Sequence, residues 1–298
     1  MRTLKAALAL LIITLSFLSG QAQTRFDNLE FKQFSTPEGL PNSMVHQVYQ
    51  DRDGYIWIST FYGLFRYDGY EVRTYKSNLY TPGLLVNNNV ICVEEDYSHR
   101  LWIGTHEGLC VLDKQTGKMR KMKLEGISKH RLNEIHVTKD NKVYLGYIRG
   151  MACYNAELDT LELMTSKNCK GEVPEQINIQ TLLEDENGDL LIGTWQDGLF
   201  HYNIKENKFT HYPPLDESNS VLALFQDSKG ALWVGTSGSG LYKVNFSPDK
   251  KTLSVEKAYK HDALNTLSLS SDYIYSIHED LQTHSLWLGT RNGVSIMD

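Results

Sequence analysis

The sequence is short of four things, and each shortage excludes a class of protein. The longest apolar run, between Ala6 and Leu18, has 13 residues, where a membrane-spanning helix needs about 20. Four cysteines, Cys92, Cys110, Cys153 and Cys169, are too few to frame a fold of 298 residues with disulfides. The first three fall at strand positions, where packed thiols are the default; a bridge to Cys169 stays open. Basic residues are nowhere massed. The densest run, 118–123, is broken by Met119 and Met122 and reads as one solvated outer strand, and the formal net charge is −6, so nucleic acid is a poor partner. Catalytic signatures are also missing. There is no His-Glu-x-x-His or His-x-x-Glu-His pair for zinc and no Gly-x-Ser-x-Gly elbow, and neither a metal site nor a cofactor is expected.

The N-terminus reads as an export signal. Met1-Arg2-Thr3-Leu4-Lys5 precedes the apolar run, and Gly20-Gln21-Ala22 supplies small residues for cleavage after Ala22. Removing residues 1–22 takes away Arg2 and Lys5 and no acids, so −6 becomes −8. Residues 23–30 read as a tether, and the mature protein is expected in the periplasm.

What the chain has in abundance is one frame, written six times. Its fullest copy runs from Gln50-Asp51 through Gly54-Tyr55-Ile56-Trp57-Ile58-Ser59-Thr60 to Gly63-Leu64 and Tyr67-Asp68. The Trp position recurs at 57, 102, 144 (Tyr), 191 (Leu), 233 and 287, with steps of 45, 42, 47, 42 and 54 residues. The third copy is worn but keeps Asp140, Val143-Tyr144-Leu145-Gly146 and Gly150-Met151. Periods of this size mean solenoids, propellers or arrays. Within a copy the short β-rich runs alternate with turn signals, as in 45–49, 55–59, 64–67 and 71–75, and no window of ten residues in the mature chain carries a helical apolar stripe. Four strands per repeat predict an all-β fold, a β-propeller of four-stranded blades. The blades are expected near 31–76, 87–123, 133–164, 178–212, 220–259 and 272–298, with Phe31–Ser35 as an outer fourth strand ahead of the first full blade. In each Asp-x-x-Gly turn the Asp side chain caps backbone and the Gly takes the left-handed position. His99 stands where the second copy should have Gly. The frame tryptophans Trp57, Trp102, Trp233 and Trp287 are expected to pack between adjacent blades.

These residues carry a resemblance. Phe34-Ser35-Thr36-Pro37-Glu38-Gly39-Leu40-Pro41-Asn42-Ser43, followed by the spaced frame from Val45 to Gly69, resembles two-component regulator propeller repeats over nearly all of the mature chain. The resemblance implies the N-terminal periplasmic sensor region of a Bacteroides-type hybrid two-component system, a histidine kinase joined to a response regulator. It implies a seven-bladed ring, of which six repeats are an incomplete part, within a longer membrane-anchored homodimer that holds a second propeller, a β-sandwich and the kinase. It implies an oligosaccharide ligand and control of polysaccharide utilisation, with no catalysis by this chain. The competing class is a stand-alone periplasmic propeller enzyme, a lyase or hydrolase acting on glycans.

The copies hold their frame and differ where the second and third strands join. Phe61 and Tyr62, His106 and Glu107, Arg149, Trp195 and Asp197, and Arg291 and Asn292 stand there. In a propeller these loops share one face. Aromatic rings can stack on the apolar face of a pyranose while polar groups fix its hydroxyls. Trp195 lies off the Trp register and is not expected in the core.

Overall fold

The computed structural model describes residues 44–78, 85–122, 131–215, 220–247 and 250–298. The signal segment, the tether and the proposed strand Phe31–Ser35 lie outside the described residues. Six sheets follow one another along the chain. The first is β1 (Val45–Gln50), β2 (Ile56–Thr60), β3 (Gly63–Tyr67) and β4 (Val72–Tyr75). The second is β5 (Val90–Glu95), β6 (Arg100–Thr105), β7 (Gly108–Asp113) and β8 (Met119–Met122). The third is β9 (Leu132–Val137), β10 (Val143–Tyr147), β11 (Gly150–Asn155) and β12 (Thr160–Met164). The fourth adds a short parallel edge strand, β13 (Lys170–Gly171), to β14 (Ile179–Glu184), β15 (Leu190–Thr194), β16 (Leu199–Asn203) and β17 (Lys208–Tyr212). The fifth is β18 (Val221–Gln226), β19 (Leu232–Thr236), β20 (Leu241–Phe246) and β21 (Leu253–Tyr259). The sixth has three strands, β22 (Ile274–Glu279), β23 (Leu286–Thr290) and β24 (Gly293–Met297). Each is an antiparallel meander, and the first strands β1, β5, β9, β14, β18 and β22 are successive neighbours. They are the innermost strands of the six blades of a β-propeller.

The frame residues build the interfaces between blades. Five apolar cores lie between consecutive blades, and the Trp position supplies each: Trp57, Trp102, Tyr144, Leu191 and Trp233 pack against the following blade. Trp287 departs from the expectation. It is half-buried and belongs to none of the five cores, because no further blade follows it among the described residues. The frame glycine has a packing reason. A Cβ on Gly146, Gly193 or Gly235 would come within 2.6, 2.6 and 2.8 Å of Ile179, Val221 and Ile274, the aliphatic residues that open the next blade's first strand.

The turn between first and second strands uses its Asp fully. Asp51 Oδ1 accepts the amides of Asp53 (3.1 Å) and Tyr55 (2.9 Å), and Gly54 closes the turn at φ +88°. His99 takes the same left-handed place at φ +56°. In the third blade the turn opens on Thr138, whose hydroxyl accepts the Lys142 amide at 3.1 Å, with Asn141 at φ +61°. Asp140, singled out from the sequence, is not the capping residue there. A Glu just before the turn latches blade to blade: the amides of Arg52, Lys139 and Ser228 donate to Glu95, Glu184 and Glu279 of the next blade at 2.9, 2.9 and 2.7 Å. All four cysteines are free thiols, and burial pushes the Cys110 and Cys153 thiols up to about 11.

Candidate ligand-recognition face

The loops between second and third strands all emerge at one end of the blades. In blades 2 to 6 the loop's leading amide donates to the carbonyl just ahead of that blade's first strand: His106 to Asn89 (2.9 Å), Ile148 to Arg131 (3.3 Å), Trp195 to Asn178 (2.8 Å), Ser237 to Ser220 (3.0 Å) and Arg291 to Tyr273 (3.1 Å). The Thr of the frame closes the loop from within. Thr60, Thr105, Thr194, Thr236 and Thr290 each donate to the carbonyl of the Gly at or just before the start of the third strand, at 2.7–3.0 Å. Gly63 sits at φ +136°, and a Cβ there would lie 2.7 Å from the Tyr75 carbonyl oxygen. The backbone of these loops is therefore fixed, and sequence variation falls on the side chains between.

Those side chains face solvent. Phe61, Tyr62, His106, Glu107, Arg149, Asp197, Arg291 and Asn292 are exposed, and Trp195 exposes 41% of its surface. Packing between blades sets the loops side by side from blade 1 to blade 6. Blades 6 and 1 share no core among the described residues, so Phe61 and Arg291 stand at opposite ends of the series. The Trp195 loop is the best braced: the Gln196 amide donates to Ser220 Oγ of the next blade at 3.1 Å. His211 Nε2 lies 2.8 Å from the Asp197 carbonyl oxygen, with the His211 ring stacked on Phe200 at 4.4 Å. The Arg291 guanidinium lies over the Tyr273 ring, 5.2 Å from its centroid, and Phe61 tilts against His46 at 4.5 Å.

Loop variation alone did not point to a second row of polar groups at the entry of the innermost strands. His46 Nε2 meets Asn89 Oδ1 at 3.0 Å. Asn178 Oδ1 accepts from Asn133 Nδ2 and Gln180 Nε2, both at 2.8 Å. The available signal was an Asn shortly before or within the first strand, at 89, 133 and 178. Burial, and then the charge of Arg131, lower the His46 pKa against the opposing Asn89 hydrogen bond. Deeper on the innermost strands, burial holds the carboxyls of Glu94 and Glu134 up to about 8, Glu134 adding its charge at Glu94. Burial, reinforced by Lys139, brings His136 down to about 4. Among the described residues no group of three or more His, Cys, Asp or Glu side chains has metal-binding geometry.

A β-propeller whose blades meet through a repeated Asp, Trp, Gly-Thr and Gly-Leu frame is the class these observations define. The two component regulator propeller family model matches residues 39–62, 84–107 and 216–238 of the chain. Over 67 residues it is 34% identical to histidine kinase P4 of Formosa agariphila, covering 22% of this chain and 5% of that protein. A Bacteroides thetaiotaomicron structure described as the extracellular domain of a hybrid two-component system is 25% identical, with a TM-score of 0.60. That match covers 87% of this chain and 38% of the other, so this chain spans well under half of its relative's length. Virginiamycin B lyase of Staphylococcus aureus shares the fold at 10% identity and a TM-score of 0.64, over 86% of this chain and 84% of the lyase. The chain is thus a propeller domain related to the extracellular sensor domains of hybrid two-component systems.

Proposed function

We propose that this propeller is the periplasmic sensing module of a hybrid two-component protein and that it recognises an oligosaccharide. The observation that carries the reading is the loop face: a half-exposed Trp195 outside the core register, on a loop braced from three sides, beside the Asn133, Asn178 and Gln180 amides. An indole face suits the apolar side of a sugar ring, and amides suit its hydroxyls. Arg149, Glu107, Asp197 and Asn292 would add charge and amide groups along the same end. The chain itself would be non-catalytic. Residues 1–22 would direct export and 23–30 would tether the propeller. Kinase, response-regulator and membrane segments would lie in the remainder of a homodimeric protein that switches on polysaccharide utilisation. Binding would act by favouring one of two arrangements of the dimer. The enzyme reading, a glycan lyase or hydrolase, rests on shared fold alone.

Alanine substitution at Trp195 and at Arg149 in the full-length sensor tests the reading. Glycan-induced transcription should fall at least tenfold in both variants while protein level and melting temperature hold. An unchanged response would remove this face as the recognition site.

A further inference from the structure

Arg66 and Arg73 stand directly opposite each other on β3 and β4 of blade 1, and like charges in that register repel. Among the described residues neither guanidinium forms an ion pair. Each lies instead over a tyrosine ring of its own blade, Arg66 4.3 Å from the Tyr55 centroid and Arg73 5.3 Å from that of Tyr75. A ring against the flat face of a guanidinium orients it and leaves the N–H groups at its edge free to donate. Arg66 Nε is buried and meets no acceptor among the described residues, and an orphaned donor of this kind destabilises a fold until an acceptor reaches it. Blade 5 carries the equivalent pair, Lys243 opposite Lys257, but there Glu256 takes the Lys243 ammonium at 2.8 Å. The residue just before Arg73, where Glu256 stands before Lys257, is Val72. The carboxylate of Asp68, at the end of β3, is spent on the amides of Tyr70 and Glu71.

We propose that Arg66 and Arg73 hold a small oxyanion, a sulfate, phosphate or carboxylate group, in the cavity between blades 1 and 2. That cavity measures about 220 Å³, and the two arginines line it together with Tyr55, Tyr75, Lys114 and Asp53. It is smaller than the roughly 300 Å³ at which sites for drug-sized ligands begin, which suits one charged group and at most the ring that bears it. Lys114 has no donor to spare, because its ammonium already meets Asp51, Asp53 and Glu95 at 2.7–2.9 Å. Those three acids weigh against an anion, but each is engaged: Asp51 also takes two turn amides and the Trp57 indole, Glu95 takes the Arg52 amide, and Asp53 is held by Lys114. The two arginines supply the remaining positive charge and the free N–H groups, and a guanidinium edge matches two oxygens of an oxyanion at once. The turn between the first and second strands borders this cavity. The site therefore lies at the opposite end of the blades from the Trp195 loop and is independent of it.

Isothermal titration calorimetry of the purified protein tests this, at an ionic strength held constant with sodium chloride. The probes are inorganic sulfate, inorganic phosphate and glucuronate. At least one should bind with one-to-one stoichiometry, and Arg66→Gln and Arg73→Gln should each weaken that binding at least tenfold. Arg73 is exposed, so Arg73→Gln keeps the fold and carries the test even where Arg66→Gln does not. Arg120→Gln, which removes an arginine already paired with Asp159, and Trp195→Ala should both bind as the unaltered protein does. Tighter binding of sulfate or phosphate would assign the site to a free ion, and tighter binding of glucuronate to the acidic group of a sugar. No saturable heat from any of the three probes would overturn the proposal. So would binding left intact in Arg73→Gln, or an equal loss in Arg120→Gln.

Discussion

Asp51 Oδ2 accepts the indole N–H of Trp57 at 2.8 Å, while Oδ1 of the same carboxylate caps the turn that separates them. Asp96 holds Trp102, and Asp227 holds Trp233, over the same six-residue spacing and at the same 2.8 Å. The frame's acid and its tryptophan are therefore one device. It fixes a hairpin and aims a large ring into the core between blades. Removing the acid strands buried donors, and that cost exceeds the value of the hydrogen bonds themselves. Asp96→Ala, which orphans two turn amides, the Trp102 indole and Arg100, should destabilise the protein by about 3 kcal/mol. Denaturant unfolding followed by tryptophan fluorescence measures it.

Where the Trp is replaced, the acid is redeployed. Blade 4 has Leu191 at that position, and Asp185 Oδ2 takes Lys250 Nζ at 3.0 Å instead. Between blades 1 and 2, Lys114 Nζ reaches Asp51 and Asp53 at 2.7 Å and Glu95 at 2.9 Å. Burial works against this ammonium, but its hydrogen bonds to Asp51, Asp53 and Glu95 outweigh burial and hold it above the ordinary lysine range. Lys114→Met leaves two buried carboxylates without their cation and should cost about 3 kcal/mol. A parallel Lys243→Met change, at a more exposed pair with Glu256, should leave the melting temperature unchanged. Melting temperatures of the two variants separate these outcomes.

Much of this architecture was legible in the sequence, for a physical reason. A propeller repeats one packing problem, so each frame position recurs six times, and the Trp, Gly-Thr and Asp-x-x-Gly positions predict blades, hairpins and core together. Thr138 was not legible: a hydroxyl can replace the carboxylate cap, and Asp140 two residues on masks the substitution. Trp287 looked like its counterparts because sequence shows the ring and not the neighbour that would bury it. The amide cluster of Asn133, Asn178 and Gln180 is assembled across blades 3 and 4, and no single repeat reveals a contact made between two of them.

The frame glycines give a contrast within one molecule. Gly193→Val drives a side chain into Thr181 and Val221, whose methyls already stand 2.6 Å from a Cβ, and overpacking of this kind costs about 1–3 kcal/mol. Gly289→Ala meets only the rotatable Ser276 hydroxyl and should leave stability of the 298-residue chain within about 0.5 kcal/mol. Paired urea titrations measure both.

Stability should depend on pH through the innermost strands. The Glu134 carboxyl rises from 4.5 to about 8 on folding, chiefly through burial. A raised acid favours the folded state fully below its unfolded pKa. That contribution is lost as pH climbs from 4.5 to about 8, because the unfolded chain ionises first. Glu94 behaves in the same direction and over the same window. The melting temperature should therefore fall between pH 5 and pH 8, by roughly a few degrees. Glu134→Gln should flatten most of that slope and raise the melting temperature at pH 8. A slope left intact in Glu134→Gln would show that this carboxyl stays ionised in the fold.

The central claim is that the loop face binds a sugar, and a thermal-shift screen of the purified chain against plant and host oligosaccharides tests it most directly. One glycan class should raise the melting temperature by about 5 °C at a hundredfold excess over its dissociation constant, and the rise should vanish in Trp195→Ala. A rise of the same size in Trp195→Ala, or a sharp melt that no glycan moves, would contradict recognition at this face.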